Sequence, residues 1–303
     1  MSQFNEVFSQ LVTEQLYASQ KFLGFTTSVS EYLTGKTVHI PQYNFQGAIV
    51  VNGSPVTSIA AYKPSEADLT FTVDEYSYDK PILVTNFDEL LTNYNKLQVT
   101  TNGSTQFLVT QIGSRIINKL AMDVPSTKVV KTSGSNGTNN NPAKTAARKK
   151  LTYADLITLA QKMNEDNVPE DGRYLLLTPQ LYTELLSDTQ IINALNFGQP
   201  TLPEGVVKMV AGINIMVRSL VSHSDSSGAV YAFDAAYTPV GTDNFVGLAW
   251  QTASFVKAES APIIYTDANN AFLRGNVLNV SYYMAAVNPR KGLDDAGVYL
   301  ISQ

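Results

Sequence analysis

The chain has 303 residues, 44% hydrophobic and 16% charged, with a formal net charge of −5 and no cysteine. This length supports a sizeable core in one or two domains. The charge balance argues against a nucleic-acid binder, whose affinity rests on basic residues neutralising phosphates, and without cysteine there is no disulfide framework or thiolate zinc site.

The charged fraction is below the usual quarter. Asn, Ser, Thr, Gln and Tyr supply the polarity instead, a neutral hydrogen-bonding surface suited to contact with copies of itself. No apolar run approaches the roughly 18 residues that span a bilayer. The opening "MSQFNEVFSQLVTEQLYASQKF" has no positive charge before Lys21 and no continuous apolar block, so it does not read as a signal peptide. These features predict a protein made and kept in the cytoplasm, unless a lysed cell releases it, with no membrane contact.

In residues 2–18, Phe4, Val7, Phe8, Leu11, Val12 and Leu16 recur at helical spacing, with Ser2 as N-cap. This helix packs on its own domain or, as an arm, on a neighbour. Residues 37–83 are strand-like. "TVHIPQY" and "DLTFTVDEY" alternate and could pair, and between them Asn52-Gly53 carries a two-residue hairpin signal. A hairpin of this length needs something to pack on, either its own body or another subunit.

Asn86 and Glu89 open a helix over Asn86–Leu97. After "NGST" a second and longer helix is expected over about 105–121, with Leu108, Ile112, Ile116 and Leu120 repeating every four residues. Residues 125–150 are rich in Gly, Asn, Ser and Thr, with six cations and no acid. They read as a solvated, mobile loop rather than a nucleic-acid patch, because no aromatics interleave for base stacking.

From Leu151 the pattern is helix–strand–helix–strand, then strand runs, a mixed α/β unit. Thr152 with Asp155 makes a capping box ahead of Leu156, Leu159, Ala160 and Met163. "NVPEDGR" is a turn and "YLLLT" a strand buried on both faces. Thr178 caps the next helix, with Pro179 at its first position and Tyr182, Leu185 and Leu186 inward. "VVKMVAGINIMVRSLV" reads as two strands around Ala211-Gly212. "AVYAFDAAY" and "FVGLAWQTASFV" read as further strands, and the tail after Ala261 as strands that must join a sheet begun near 70–84.

Motifs for chemistry are scarce. No nucleophile elbow, P-loop, dinucleotide fingerprint or zinc-protease motif is present. "SHSD" (Ser222 to Asp225) holds triad residue types, but neighbours in one short loop cannot converge as a triad does. Asp68, Asp74, Glu75 and Asp79 lack the spacing of a calcium loop. Glu184 and Asp188 read as ordinary carboxylates on a helix surface. Trp250 and the 16 tyrosines suit either interfaces or a β-rich core.

The helix, then Asn167, Pro169 and Arg173, the strand, then Thr178, Pro179 and Tyr182, and the later Gly212-Ile213 form a co-linear set. It resembles the major capsid protein of tailed bacteriophages, the Hong Kong 97-type coat fold, over nearly the whole chain. The resemblance implies an α+β fold. Residues 1–36 would be an N-terminal arm and 37–84 an extended hairpin loop with its tip at Asn52 and Gly53. Residues 85–150 with 251–303 would form a peripheral domain with a spine helix, and 151–250 a mixed α/β axial domain. It further implies a virion structural protein that is not an enzyme and has no cofactor, assembling into hexamers and pentamers of an icosahedral shell. The implied partners are a separate scaffolding protein, a portal protein and double-stranded DNA bound without sequence specificity. The alternatives are an encapsulin-type compartment shell, an α/β enzyme with an unrecognised site and, less favoured, a tail or decoration protein.

Overall fold

The computed structural model describes residues 16, 20–44, 65–85, 96–135, 149–191, 209–225, 228–233 and 244–302. The expected hairpin tip at Asn52-Gly53, and most of the helices expected over 2–18 and 86–97, lie outside them. In chain order the strands are β1 (Thr27–Ser28), β2 (Leu33–Thr34), β3 (Thr37–Asn44), β4 (Ser65–Thr72), β5 (Asp74–Ser77), β6 (Ile82–Thr85), β7 (Val129–Lys131), β8 (Arg173–Leu177), β9 (Met209–Val210), β10 (Ile213–Val217), β11 (Ser222–Ser224), β12 (Asn244–Gln251), β13 (Val256–Glu259), β14 (Ile263–Asn270), β15 (Gly275–Val287) and β16 (Val298–Ser302). The helices are α1 (Lys96–Met122), α2 (Tyr153–Glu165) and α3 (Pro179–Leu186).

The elements stack in layers. β8 is an apolar strand of the seven-stranded sheet β7-β16-β12-β8-β10-β9, with β11 on β12. Its alternate residues serve two cores, which is why its sequence is continuously apolar. Leu175 and Leu177 join Ala249, Tyr299 and Ile301 beneath α2 and α3. Leu176 joins Leu248, Trp250, Val298 and Leu300 on the opposite face, against α1.

The other side of α1 meets the six-stranded sheet built on β15. Leu278, Val280, Tyr282, Met284 and Ala286, every second residue of β15, bury toward Leu108, Ile112, Ile116 and Leu120. Ala285 faces the other way and packs with Ala258, Val38 and Val73, joining the small sheet β2-β3-β4 to the stack. Leu16, the last apolar position of the expected N-terminal helix, is fully buried in the α1 core of its own chain.

Four readings are corrected. The long helix does not begin after "NGST": α1 runs unbroken through Asn102, Gly103 and Ser104. A helical glycine costs about 1 kcal/mol, whereas burying each large apolar side chain on α1 returns about 1.5–3 kcal/mol. "AVYAFDAAY" forms no strand among its described residues, only a bridge from Val230 to Ser224. Tyr231 N donates to His223 O of β11 (2.9 Å), and beyond it a side chain binds the backbone: the Asn118 amide donates to Tyr231 O (2.7 Å) and accepts from Phe233 N (2.7 Å).

The tail divides. β15 pairs with β5 and β6 as expected, but β16 pairs antiparallel with β12 and parallel with β7, in the other sheet. Finally, the expected loop over 125–150 includes β7, and Lys128 within it bonds Asp166 at 2.6 Å. Residues 136–148 lie outside the described part.

Candidate functional site

The residues that carry the resemblance converge on the two ends of β8. At its entry, α2 finishes in a Schellman motif. Asn167 sits in the left-handed region at φ 54°, its N–H bonds Asn164 O (3.0 Å), and Val168 N–H bonds Met163 O (2.9 Å). Asn tolerates this conformation better than any branched residue. Pro169 follows where no helix can continue.

Arg173, only 2% exposed, then folds back on this turn. Its Nε donates to Pro169 O (2.9 Å) and its Nη2 to Asn164 Oδ1 (2.7 Å) and to Val168 O. A cation at a helix C-terminus is favoured by the helix dipole. Asn167, Pro169 and Arg173 are thus one clamp that fixes the angle between α2 and β8.

Gly212 belongs to the same end. β10 runs parallel to β8 with Asn214 opposite Tyr174, and Asn214 Nδ2 donates to Arg173 O (3.2 Å). Ala211 (φ 49°) and Gly212 (φ 77°) join β9 to β10, with positive φ at both central residues as a type I′ turn requires. No atom crowds a Cβ at Gly212, so its role is conformational. At the exit of β8, Thr178 Oγ1 accepts from Leu181 N and Pro179 occupies the first turn of α3. Tyr182 packs half-buried against the core under α3. The entry and exit groups are separate, and they share β8 as a rigid spacer.

Several binding partners of this frame carry little signal in the sequence. Asp155 does more than cap α2: Oδ2 accepts from Thr152 N and Oγ1, and Oδ1 from Ser133 N and Oγ, so it also anchors the strand end after β7. Glu184 and Asp188, read as surface carboxylates, accept from Leu151 N (3.2 Å) and Tyr153 N (2.8 Å) and tie α3 to the start of α2. Asp166 binds both Lys128 Nζ and Tyr299 Oη, at 2.6 and 2.5 Å. Burial first, and then Asp166, hold the Tyr299 phenol protonated.

A second node joins the chain's beginning to α1. Arg218 donates through Nε to Gln20 Oε1 (3.0 Å) and through Nη2 to Ser114 Oγ (2.9 Å), and Nη1 reaches Leu220 O. Burial lowers its pKa to about 10. The aromatic row Phe25–Tyr174–Trp250–Phe255 completes the junction, with Trp250 Nε1 donating to Phe25 O.

The remaining candidates disperse. "SHSD" is a strand, not a loop, over Ser222–Ser224: Ser222 Oγ accepts from Asn118 (2.8 Å) and Ser224 Oγ shares a bond with Ser302 Oγ (2.8 Å). Asp68 faces His39, Asp74 faces Lys119, and Glu75 accepts from Ser281. Among the described residues no three His, Asp or Glu side chains gather as a metal site would need, and no helix is long and apolar enough to cross a membrane.

The comparisons with known proteins bear on this frame. Among solved structures, the capsid of cyanophage P-SCSP1u aligns with TM-score 0.63 at 22% identity, covering 93% of this chain and 86% of its own. The capsid of cyanophage Pam1 aligns with TM-score 0.65 at 14% identity, covering 91% and 87%. A virus-like particle from Pyrococcus furiosus aligns with TM-score 0.57 at 11% identity, covering 99% and 100%. No curated protein matches the chain. The fold is α+β and of the Hong Kong 97 type found in tailed-phage capsids. A model of the phage capsid protein family matches residues 2–258, and the chain belongs to that family. It is a structural major capsid protein, a component of the virion.

Proposed function

We propose that many copies of this chain close into an icosahedral shell of hexamers and pentamers around double-stranded DNA. Assembly takes place in the host cytoplasm on a separate scaffolding protein, with a portal protein at one vertex. The chain performs no catalytic step, and it meets DNA without sequence readout, in keeping with a net charge of −5. Residues 37–84 serve as a hairpin loop with its tip at Asn52-Gly53 and residues 1–36 as an arm. Residues 85–150 and 251–303 form the peripheral domain with α1 as spine, and 151–250 the axial domain, to whose sheet β7 and β16 are added. The motif residues Asn167, Pro169, Arg173, Thr178, Pro179, Tyr182 and Gly212 keep the axial wedge rigid.

The observation that supports this reading is the family match across residues 2–258 combined with a frame whose polar side chains serve as clamps and caps. A wedge that must tile identically in many copies needs a fixed shape more than a reactive group. An encapsulin-type compartment is the weaker alternative, since the matching family is a phage one. Negative-stain microscopy of the recombinant protein, co-expressed with its neighbouring reading frames, tests the proposal. Uniform closed particles containing DNA are expected. Closed particles filled with an enzyme cargo would favour the compartment, and single subunits under every co-expression would refute the shell.

A further inference from the structure

The subunit carries an apolar knob and an apolar cleft. The knob joins β14 to β15. Asn270 Oδ1 accepts from Phe272 N (3.0 Å) and Leu273 N (2.9 Å), and Arg274 N donates to Asn270 O (2.8 Å). This tip is held in one shape, yet Phe272 is 96% exposed, the most exposed large apolar side chain among the described residues, and Leu273 is half exposed. Covering a phenylalanine returns about 1.5–3 kcal/mol, so a preorganised bare one is a candidate contact residue.

The cleft, of about 840 Å³, lies between β5 and the outer side of α1. Tyr76, Tyr78, Phe107, Met122 and Phe233 make its apolar lining. Tyr78 lends the cleft its ring, while its Oη is buried away from solvent with no hydrogen-bond partner among the described residues. Of the charges, Lys119 pairs with Asp74, Glu75 accepts from Ser281 and Arg115 lies over the Phe233 ring. Asp79 makes no ion pair among the described residues, and the same is true of Arg274 on the tip.

The tip cannot fill the cleft of its own subunit. Ser77 at the cleft pairs with Ser281, six residues along β15 from Gly275, which is about 20 Å of strand. We infer that the Phe272–Leu273 tip seats in the α1–β5 cleft of a neighbouring copy, with Arg274 meeting Asp79. Such a contact joins two different patches, so it propagates into rings and shells rather than stopping at a dimer. The inference rests on the self-assembly reading above.

The chain has no cysteine, which makes crosslinking clean. Leu273→Cys is combined with Gln111→Cys or, separately, with Met122→Cys, and purified particles are oxidised. An interchain disulfide is expected in at least one double variant and in neither set of single variants. Particles that form but crosslink in neither pair would overturn the inference and leave the capsid reading standing. Failure of the unmodified chain to form any particle would overturn that reading instead. Independently, Arg274→Glu should lower particle yield about tenfold, with an unchanged melting curve because the side chain is exposed, and adding Asp79→Arg should restore the yield. A yield that Arg274→Glu leaves unchanged, or that Asp79→Arg does not restore, would overturn the charge pairing.

Discussion

Arg173 is a buried cation whose visible duty is to bind three oxygens of one turn, Asn164 Oδ1, Val168 O and Pro169 O. Arg173→Met preserves much of its apolar stem and removes every donor. The buried Val168 carbonyl and the partly buried Pro169 carbonyl then lose their partner, at about 1–3 kcal/mol in all. Urea unfolding should show that loss as a lower midpoint with an unchanged slope; a change under about 0.5 kcal/mol would refute the clamp. Thr178 and Pro179 were legible in the sequence from local helix-start rules, whereas Asn167 and Pro169 were read only as part of a turn and entered through the family resemblance. What Arg173 bonds was not legible, because its partners depend on how the chain turns between α2 and β8. The same holds for Glu184 and Asp188, whose acceptor role needs the start of α2 to lie beside α3.

At the scale of the element, α1 contains two glycines in opposite circumstances. A Cβ at Gly103 would meet nothing within 4 Å, whereas one at Gly113 would stand 2.4 Å from Gln20 Oε1. Gly103→Ala should therefore stabilise the protein by about 0.5–1 kcal/mol, the ordinary helix gain. Gly113→Ala gains the same propensity but pushes away Gln20, the acceptor of Arg218 Nε. The lost bond to a charged group costs about 1.5–3 kcal/mol, so the net effect should be destabilising. Paired thermal melts decide it: two variants shifting Tm in the same direction would show that Gln20 adapts freely and that this node holds nothing. The four-residue repeat of α1 was plain in the sequence. Its passage through Asn102-Gly103-Ser104 was not, because turn chemistry is a local signal and the burial that overrides it lies further along the helix. "AVYAFDAAY" misled for the reverse reason: its alternation is real, but after one bond from Tyr231 N to His223 O in β11, Asn118 takes the next two, with Tyr231 O and Phe233 N.

At the scale of the whole molecule, the order of layers depends on pairings between distant segments. β16 lies between β7 and β12, with Leu300 opposite both Val129 and Leu248. No periodicity within the tail distinguishes that sheet from the one β15 joins, so strand identity was readable and strand destination was not. The base of the proposed hairpin is the exception. β3 and β4 pair in unbroken register from Thr37 opposite Thr72 to Asn44 opposite Ser65, as their alternation suggested. This base is secured by Val38 and Val73 against Ala258 and Ala285, all of it outside the segment 45–64. Removing residues 48–59, which include Asn52-Gly53, should then leave a soluble subunit whose melting temperature changes by no more than about 2 °C. The same deletion should abolish closed particles, because a projecting hairpin without a core of its own contributes where it lies on another subunit. Sedimentation velocity and negative-stain images of the deletion beside the full chain separate the outcomes. A folded subunit without particles supports the hairpin as an intersubunit arm. Normal shells from the deletion would show that the contacts closing the shell are made elsewhere on the stack of layers.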